Sequence, residues 1–367
     1  MSRDARRAVK IISVLIIVFN LGPCGRASAH SAGNSPSSNY VSTVKSVTPS
    51  SATFTVRTIE AGSRVELRWK SGPRLEIADY DGYPYLRIGP SGVEENQQSY
   101  AVYLNKDRMG ATPIPANLKP DGAPVWKRIS AQPVARWHDH RVHWMGTVRP
   151  DTVKANPGRR ATIQPFTFDV KQASKTFRVS GILEWVPGPN AAGFIVGAAV
   201  LALTALGLAL WAGSSDERRD ALRPIAAALC IVLAIVDAFH LIGIAFGIHG
   251  TFGAALGRMV SVGFVSIIGW VMLGIAAVLL LRRRLDAYYL LILGSGLVTI
   301  VGGFADIGVL ARSSSPFAFS LSTLRLSIAA TIGLGIGPVL VGILLTRRQP
   351  SSVAPLNSYE NGFAPSA

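Results

Sequence analysis

The sequence predicts a mixed architecture: an N-terminal antiparallel β-sandwich of the immunoglobulin-like kind, followed by an all-α bundle of five transmembrane helices. Three observations carry this. Residues 30–187 alternate apolar and polar side chains with a period of two between turn signals. From Asn190 onward, five apolar stretches are each long enough to cross a bilayer. The break between the two regions is abrupt, at Pro187-Gly188-Pro189-Asn190.

The chain opens with Arg3, Arg6, Arg7 and Lys10, continues through the apolar run Ile11 to Phe19, and reaches a small-residue site at Ala27-Ser28-Ala29. That order reads as a secretory signal over residues 1–29, because the run falls short of the about 20 apolar residues a span needs. Lipid attachment at Cys24 is the competing reading, although Pro23 stands where a small residue is wanted. Cleavage after Ala29 makes His30 the first residue and leaves Cys230, which has no partner for a disulfide within the chain.

Strands are expected where alternation is clearest: Phe54/Val56, Val65/Leu67/Trp69, Leu75/Ile77, Tyr85/Arg87, Tyr100/Val102/Leu104 and Phe177/Val179. Thr48-Pro49-Ser50, Ala61-Gly62-Ser63, Ser71-Gly72-Pro73, Asp81-Gly82, Pro90-Ser91-Gly92 and Asn156-Pro157-Gly158 punctuate them. Roughly 8 to 10 short strands so separated suggest a sandwich. The proline-rich tract from Gly110 to Pro124 reads as a long surface loop, Glu94-Glu95 as a turn, and Asp79 and Asp81 as turn residues beside Tyr80.

The expected spans within the membrane domain, residues 188–348, are 191–213, 224–247, 259–281, 287–310 and 326–345, with a disordered tail over 349–367. Five spans put the two ends of this region on opposite sides. If the signal is cleaved, the β domain is extracytoplasmic and the C-terminus cytoplasmic in a multi-pass protein of the bacterial cell membrane. Loop charges agree: Arg218, Arg219, Arg223, Arg282, Arg283, Arg284, Arg347 and Arg348 fall on the predicted inner side, against Arg258, Arg312 and Arg325 outside. The turn near Gly250 is the least defined, since Phe252 to Leu256 can extend a helix or lie on the surface.

The net charge of +16 divides into +4 before His30, +8 over residues 30–187 and +4 thereafter. Export argues against nucleic acid as the partner. The basic residues are either a solvated surface or a means of meeting anionic lipid headgroups or wall polymers. Nucleotide-loop, nucleophile-elbow and His-Glu-x-x-His patterns are absent from the sequence, which argues against familiar nucleotide enzymes and hydrolases.

Chemistry concentrates in Trp137-His138-Asp139-His140-Arg141-Val142-His143-Trp144-Met145, which holds three of the six histidines. As one extended strand, this block puts His138 and His140 on one face with Val142 and Trp144, and His143 with Met145 on the other. Two imidazoles at i and i+2 can share a copper or zinc ion, and His30, as a mature terminus with its own amine, can supply a third ligand. The competing reading makes the histidines hydrogen-bonding residues, pairs Asp139 with Arg141, and buries Trp137 and Trp144. Within the membrane region, Asp237, His240 and Asp306 form a second polar set. Asp237 and His240 lie one helical turn apart, and ionisable residues at that depth are candidates for proton or cation passage. Alternatively they lock helices together, with Asp306 meeting Arg258. The Gly333-Leu334-Gly335-Ile336-Gly337 run reads as a close-packing face.

The segments Tyr80-Asp81-Gly82-Tyr83-Pro84-Tyr85-Leu86-Arg87 and Tyr103-Leu104-Asn105-Lys106-Asp107-Arg108, the Trp137 to Met145 block and Leu183-Glu184-Trp185-Val186-Pro187 together resemble a group of actinobacterial exported, membrane-anchored proteins of unassigned function. The likeness covers residues from about 44 to 187 and implies no catalytic residue. A weaker likeness, carried by His30 and the inferred fold, is to exported copper-resistance β-sandwich domains. The expected function is metal handling at the envelope, with His30, His138 and His140 as ligands of copper or zinc. The alternative is a non-catalytic, metal-free interaction or anchoring module. The expected partners are the lipid bilayer and either a metal ion or anionic envelope components.

Overall fold

The structure is a computed structural model in which residues 37–347 are described. The expected signal over residues 1–29, His30 and the residues from 348 onward lie outside them. Ten strands form two antiparallel sheets. The larger has the order β1(Tyr40–Thr48), β10(Lys175–Trp185), β9(Ala161–Gln172), β4(Leu75–Ala78), β5(Pro84–Gly89), β6(Gly92–Asn96), β7(Trp126–Ser130); the smaller is β2(Phe54–Ile59), β3(Arg64–Trp69), β8(Val134–His138). The alternation read from sequence is what closes the sandwich. Val65 and Leu67 of β3, Leu75 and Ile77 of β4, Ile88 of β5, Val170 of β9 and Val179 of β10 are at most 1% exposed. Burying side chains of this size stabilises by roughly 1.5–3 kcal/mol each.

Two local expectations are corrected. Residues 101–104 form a helical turn, α1(Ala101–Leu104), where alternation suggested a strand. The buried Ser99 hydroxyl accepts from Ala101 N–H at 3.2 Å and donates to Asp79 at 2.9 Å, which starts the turn. Glu94 and Glu95 lie on β6, opposite Arg87 and Leu86 of β5, so they are not a turn. Asp79 does take the turn role: its carboxylate accepts from the N–H groups of Asp81 (3.1 Å) and Tyr83 (2.9 Å) and closes the β4–β5 connection. A second short helix, α2(Asp151–Ala155), precedes β9.

Among the described residues, the C-terminal region contains five helices long and apolar enough to cross a membrane: α3(Ala192–Ala212), α4(Asp216–Gly247), α5(Phe252–Leu281), a bent fourth span and α7(Leu321–Arg347). Ser215 caps α4 by accepting from Arg218 N–H, and Thr251 caps α5 by accepting from Ala254 N–H. Phe252 to Leu256 therefore extends a helix. The fourth span is not uniform. It runs as α6(Ala287–Val298), loosens into a π turn over Thr299–Gly303 and tightens into 3₁₀ turns over Phe304–Ala311. Small residues let the helices approach: a Cβ on Gly333 would lie 2.6 Å from the Ala198 carbonyl of α3.

The β domain docks on the end of the bundle that carries the α4–α5 and α6–α7 connections. Ser38 and Ser314 exchange backbone hydrogen bonds at 2.8 and 2.9 Å. Gly188 lies so close to Ala311 that a Cβ would sit 1.9 Å from its carbonyl oxygen. At the β2–β3 tip, the Glu60 carboxylate accepts from His249 N–H at 3.0 Å and pairs with Arg64 at 3.3 Å. Arg218, Arg219, Arg223, Arg282, Arg283 and Arg284 cluster at the opposite end, around the α3–α4 and α5–α6 connections.

Candidate functional site

The two sheets part between their edge strands β7 and β8, which the short link Ala131-Gln132-Pro133 joins across the gap. The result is an open groove of about 1260 Å³. Strand β8 supplies Arg136, Trp137 and His138, β3 supplies Arg64, α1 and the residues after it supply Tyr103, Asn105 and Lys106, and β7 supplies Lys127. The charge is one-sided: Arg64, Lys106, Lys127 and Arg136 face Glu95. Arg64 is answered by Glu60, and Arg136 by Glu66 at 2.7 Å. Glu66 also takes Arg57 at 2.8 Å. Its burial works against ionisation, but the two guanidinium groups hold its carboxyl below the usual carboxylate range. Lys106 and Lys127 are exposed and make no ion pair among the described residues.

Trp137 and His138 of the histidine block line this groove, and the geometry of the block corrects the single-strand expectation. Strand β8 stops at His138. Val142 N–H donates to the Asp139 carbonyl at 3.0 Å, so the chain reverses over Asp139–Val142. The cause is Asp139. Fully buried, its carboxylate accepts from Arg141 Nε (2.8 Å), Arg141 Nη2 (2.7 Å), Arg141 N–H (3.1 Å) and Trp137 Nε1 (3.0 Å). Burial pushes its pKa up, but these donors outweigh burial and hold it below the usual range.

The turn separates His138 from His140. His138 Nδ1 lies 3.0 Å from the Ser63 carbonyl, whereas His140 stacks on Tyr80 with ring centroids 6.0 Å apart. The Tyr80 hydroxyl accepts from His140 N–H at 3.0 Å. The histidine brought to His140 is His143, edge-on at 5.5 Å. His143 is 2% exposed, and its Nε2 lies 2.8 Å from the Arg108 carbonyl. Burial, with Arg108 and the neighbouring imidazoles, pushes its pKa down to about 4, so it is neutral at pH 7. Burial lowers the pKa of His138 as well. Among the described residues, no group of three or more His, Cys, Asp or Glu side chains could hold a metal ion. The proposed third ligand, His30, lies outside them. The Asp139–Arg141 pair and the buried Trp137 follow the competing reading, but Trp144 is half-buried, stacked 6.1 Å from Tyr40.

Within the helices, Asp237, His240 and Asp306 are each at most 2% exposed and do converge. His240 Nε2 lies 3.3 Å from Asp306 Oδ2, and Asp237 accepts from Trp270 Nε1 at 2.8 Å. Arg258 does not reach Asp306; it donates to the Ala245 and Ile248 carbonyls. The bend in the fourth span makes the convergence possible. An added Cβ on Gly302, in the π turn, would lie 1.7 Å from Asp237 Oδ1. Gly302→Ala is therefore expected to destabilise the helical region by about 1–3 kcal/mol. Gly296→Ala, six residues earlier with nothing within 4 Å of its Cβ, is expected to be neutral or stabilising. Thermal unfolding of both full-length variants in one detergent checks this, and equal melting temperatures would contradict it. Chemically, an imidazole beside carboxylates in a hydrocarbon setting can hold a proton or a cation, or can join helices.

Sequence reasoning missed the groove because Lys106 and Lys127 lie on different elements, with no spacing that relates them. Comparison of the chain with protein-family models, with curated proteins and with solved structures finds no match.

Proposed function

We propose that this protein is a membrane-anchored, non-catalytic envelope module whose β domain binds an anionic, carboxylate- or phosphate-bearing polymer in the groove between β7 and β8. The carrying observation is that Lys106 and Lys127 stand exposed in a concavity whose arginines already have carboxylate partners, with Glu95, across the strand pair from Lys127, as the one acid in its lining. The +8 charge of residues 30–187 adds long-range attraction. The five helices anchor the domain, and the Ser38–Ser314 and Glu60–His249 contacts hold it against the end of the bundle that carries the α4–α5 and α6–α7 connections. In this reading the β domain lies outside a bacterial cell membrane and the C-terminal tail is cytoplasmic. The signal-like start and the arginines at the far end of the bundle support that orientation.

The test is titration of the full chain, in neutral nanodiscs, with polyphosphate, polygalacturonate and uncharged dextran. Both anionic polymers should bind and dextran should not, and Lys106→Gln with Lys127→Gln should weaken binding roughly tenfold. Arg159→Gln with Arg160→Gln, basic residues outside the groove, should change it less than about twofold. Equal losses in the two double variants would mean unspecific charge attraction.

A second reading, copper or zinc binding, is favoured by one observation. His140 Nε2 and His143 Nδ1 are both buried without a hydrogen-bond partner. His143 meets the Arg108 carbonyl through its other nitrogen, the arrangement that orients metal-ligating histidines. Copper and zinc uptake by the full chain, lost in His140→Ala, would support this reading; uptake unchanged in His140→Ala would remove it.

A further inference from the structure

At the end of the bundle away from the β domain, a shallow apolar crevice opens between α3, α4, α6 and α7, with Leu280 of α5 at its back. Its walls are aliphatic, with Leu208, Leu229 and Leu291 among them, and its rim carries Arg219, Arg223 and Tyr288. Leu208 is 38% exposed, on the outer surface of the bundle, so the crevice opens sideways toward the hydrocarbon. Each arginine spends part of its fork on a neighbour: Arg219 Nη1 on Asp216 at 2.8 Å, and Arg223 Nε on Asp220 at 2.7 Å. Asp220 is shared with Arg283 at 3.2 Å. What is left over points to a ligand. Arg219 Nε, Arg223 Nη1 and the Tyr288 hydroxyl are buried without a hydrogen-bond partner, and the Tyr288 side chain is 2% exposed. Buried donors left unmatched are costly, and the three residues that carry them line the same crevice beside its aliphatic wall.

We infer that this crevice is a binding site for an anionic phospholipid, with its phosphate taken by Arg219, Arg223 and Tyr288 and an acyl chain lying against Leu208, Leu229 and Leu291. The phosphate oxygens are acceptors only, which matches a rim of donors. A soluble phosphate would satisfy the rim but leave the aliphatic wall unused. Basic pockets between transmembrane helices suit such headgroups for the same reason. The site is independent of the groove in the β domain.

The test is native mass spectrometry of the full-length protein in neutral detergent, with phosphatidylglycerol, phosphatidylcholine, diacylglycerol and inorganic phosphate as probes. Phosphatidylglycerol should be retained about tenfold or more over phosphatidylcholine and diacylglycerol. Arg219→Gln with Arg223→Gln should abolish the preference, whereas Arg282→Gln with Arg284→Gln, exposed arginines at the same end, should keep it. Tyr288→Phe preserves the ring and should still reduce retention several-fold, which gives a readout if the arginine pair fails to fold. Three results would overturn the inference: inorganic phosphate displacing the lipid at equal concentration, equal loss in both arginine pairs, or wild-type retention in Tyr288→Phe.

Discussion

Asp139→Ala is expected to destabilise the β domain by about 3–5 kcal/mol, the range for removing one partner of a buried ion pair. Asp139 is 0% exposed and accepts four hydrogen bonds, three from Arg141 and one from Trp137. Truncation leaves a guanidinium over the Tyr80 and Phe168 rings without its counter-charge, and an indole N–H without its acceptor. It also removes the side chain that turns the chain at the end of β8. Pairing Asp139→Ala with Arg141→Met should recover part of the loss, because no orphan charge then remains. Urea unfolding of the full chain, followed by tryptophan fluorescence, checks this. A single variant within about 1 kcal/mol of wild type would contradict the account of the turn.

The second large effect is pH dependence through His143. An unfolded histidine titrates near 6.5, whereas folded His143 titrates near 4. As pH falls, the unfolded chain takes up the proton first, so stability present at neutral pH is lost between about 6.5 and 4. The full loss is on the order of 3 kcal/mol. His138, depressed by burial in the same direction, adds to the loss. Asp139 adds its own at lower pH, as its carboxyl finally protonates. His143→Gln keeps a donor for the Arg108 carbonyl but does not titrate. Its urea midpoint should fall less than that of wild type between pH 7.5 and 4.5. An unchanged slope would place the pH sensitivity elsewhere.

What could be read before folding, and what could not, follows physical lines. The spans were legible because bilayer thickness imposes a length on an apolar run, and that constraint is local to consecutive residues of the chain. The sandwich was legible because Val65/Leu67 and Leu75/Ile77 alternate with the period of a pleat. The histidine pairing was not. Parity holds only while a strand continues, and a single buried carboxylate, Asp139, ends β8 at His138 and exchanges the pair His138/His140 for His140/His143. Asp237 and His240 could be grouped by helical spacing, but Asp306 joins them through the π turn around Gly302, which hydropathy does not register. Residues that meet only in the fold, such as Lys106 with Lys127 or Arg223 with Tyr288, leave no pattern along the chain.

The groove is the centre of the functional account, and lysine reactivity tests it most directly. The acetylation rates of Lys106 and Lys127 would be followed by mass spectrometry in the full-length protein, with and without polyphosphate. Lys45 and Lys175, exposed outside the groove, would serve as internal references. Polyphosphate should slow acetylation at Lys106 and Lys127 several-fold and leave Lys45 and Lys175 unchanged. Equal protection of all four, or none at Lys106 and Lys127, would contradict binding in the groove.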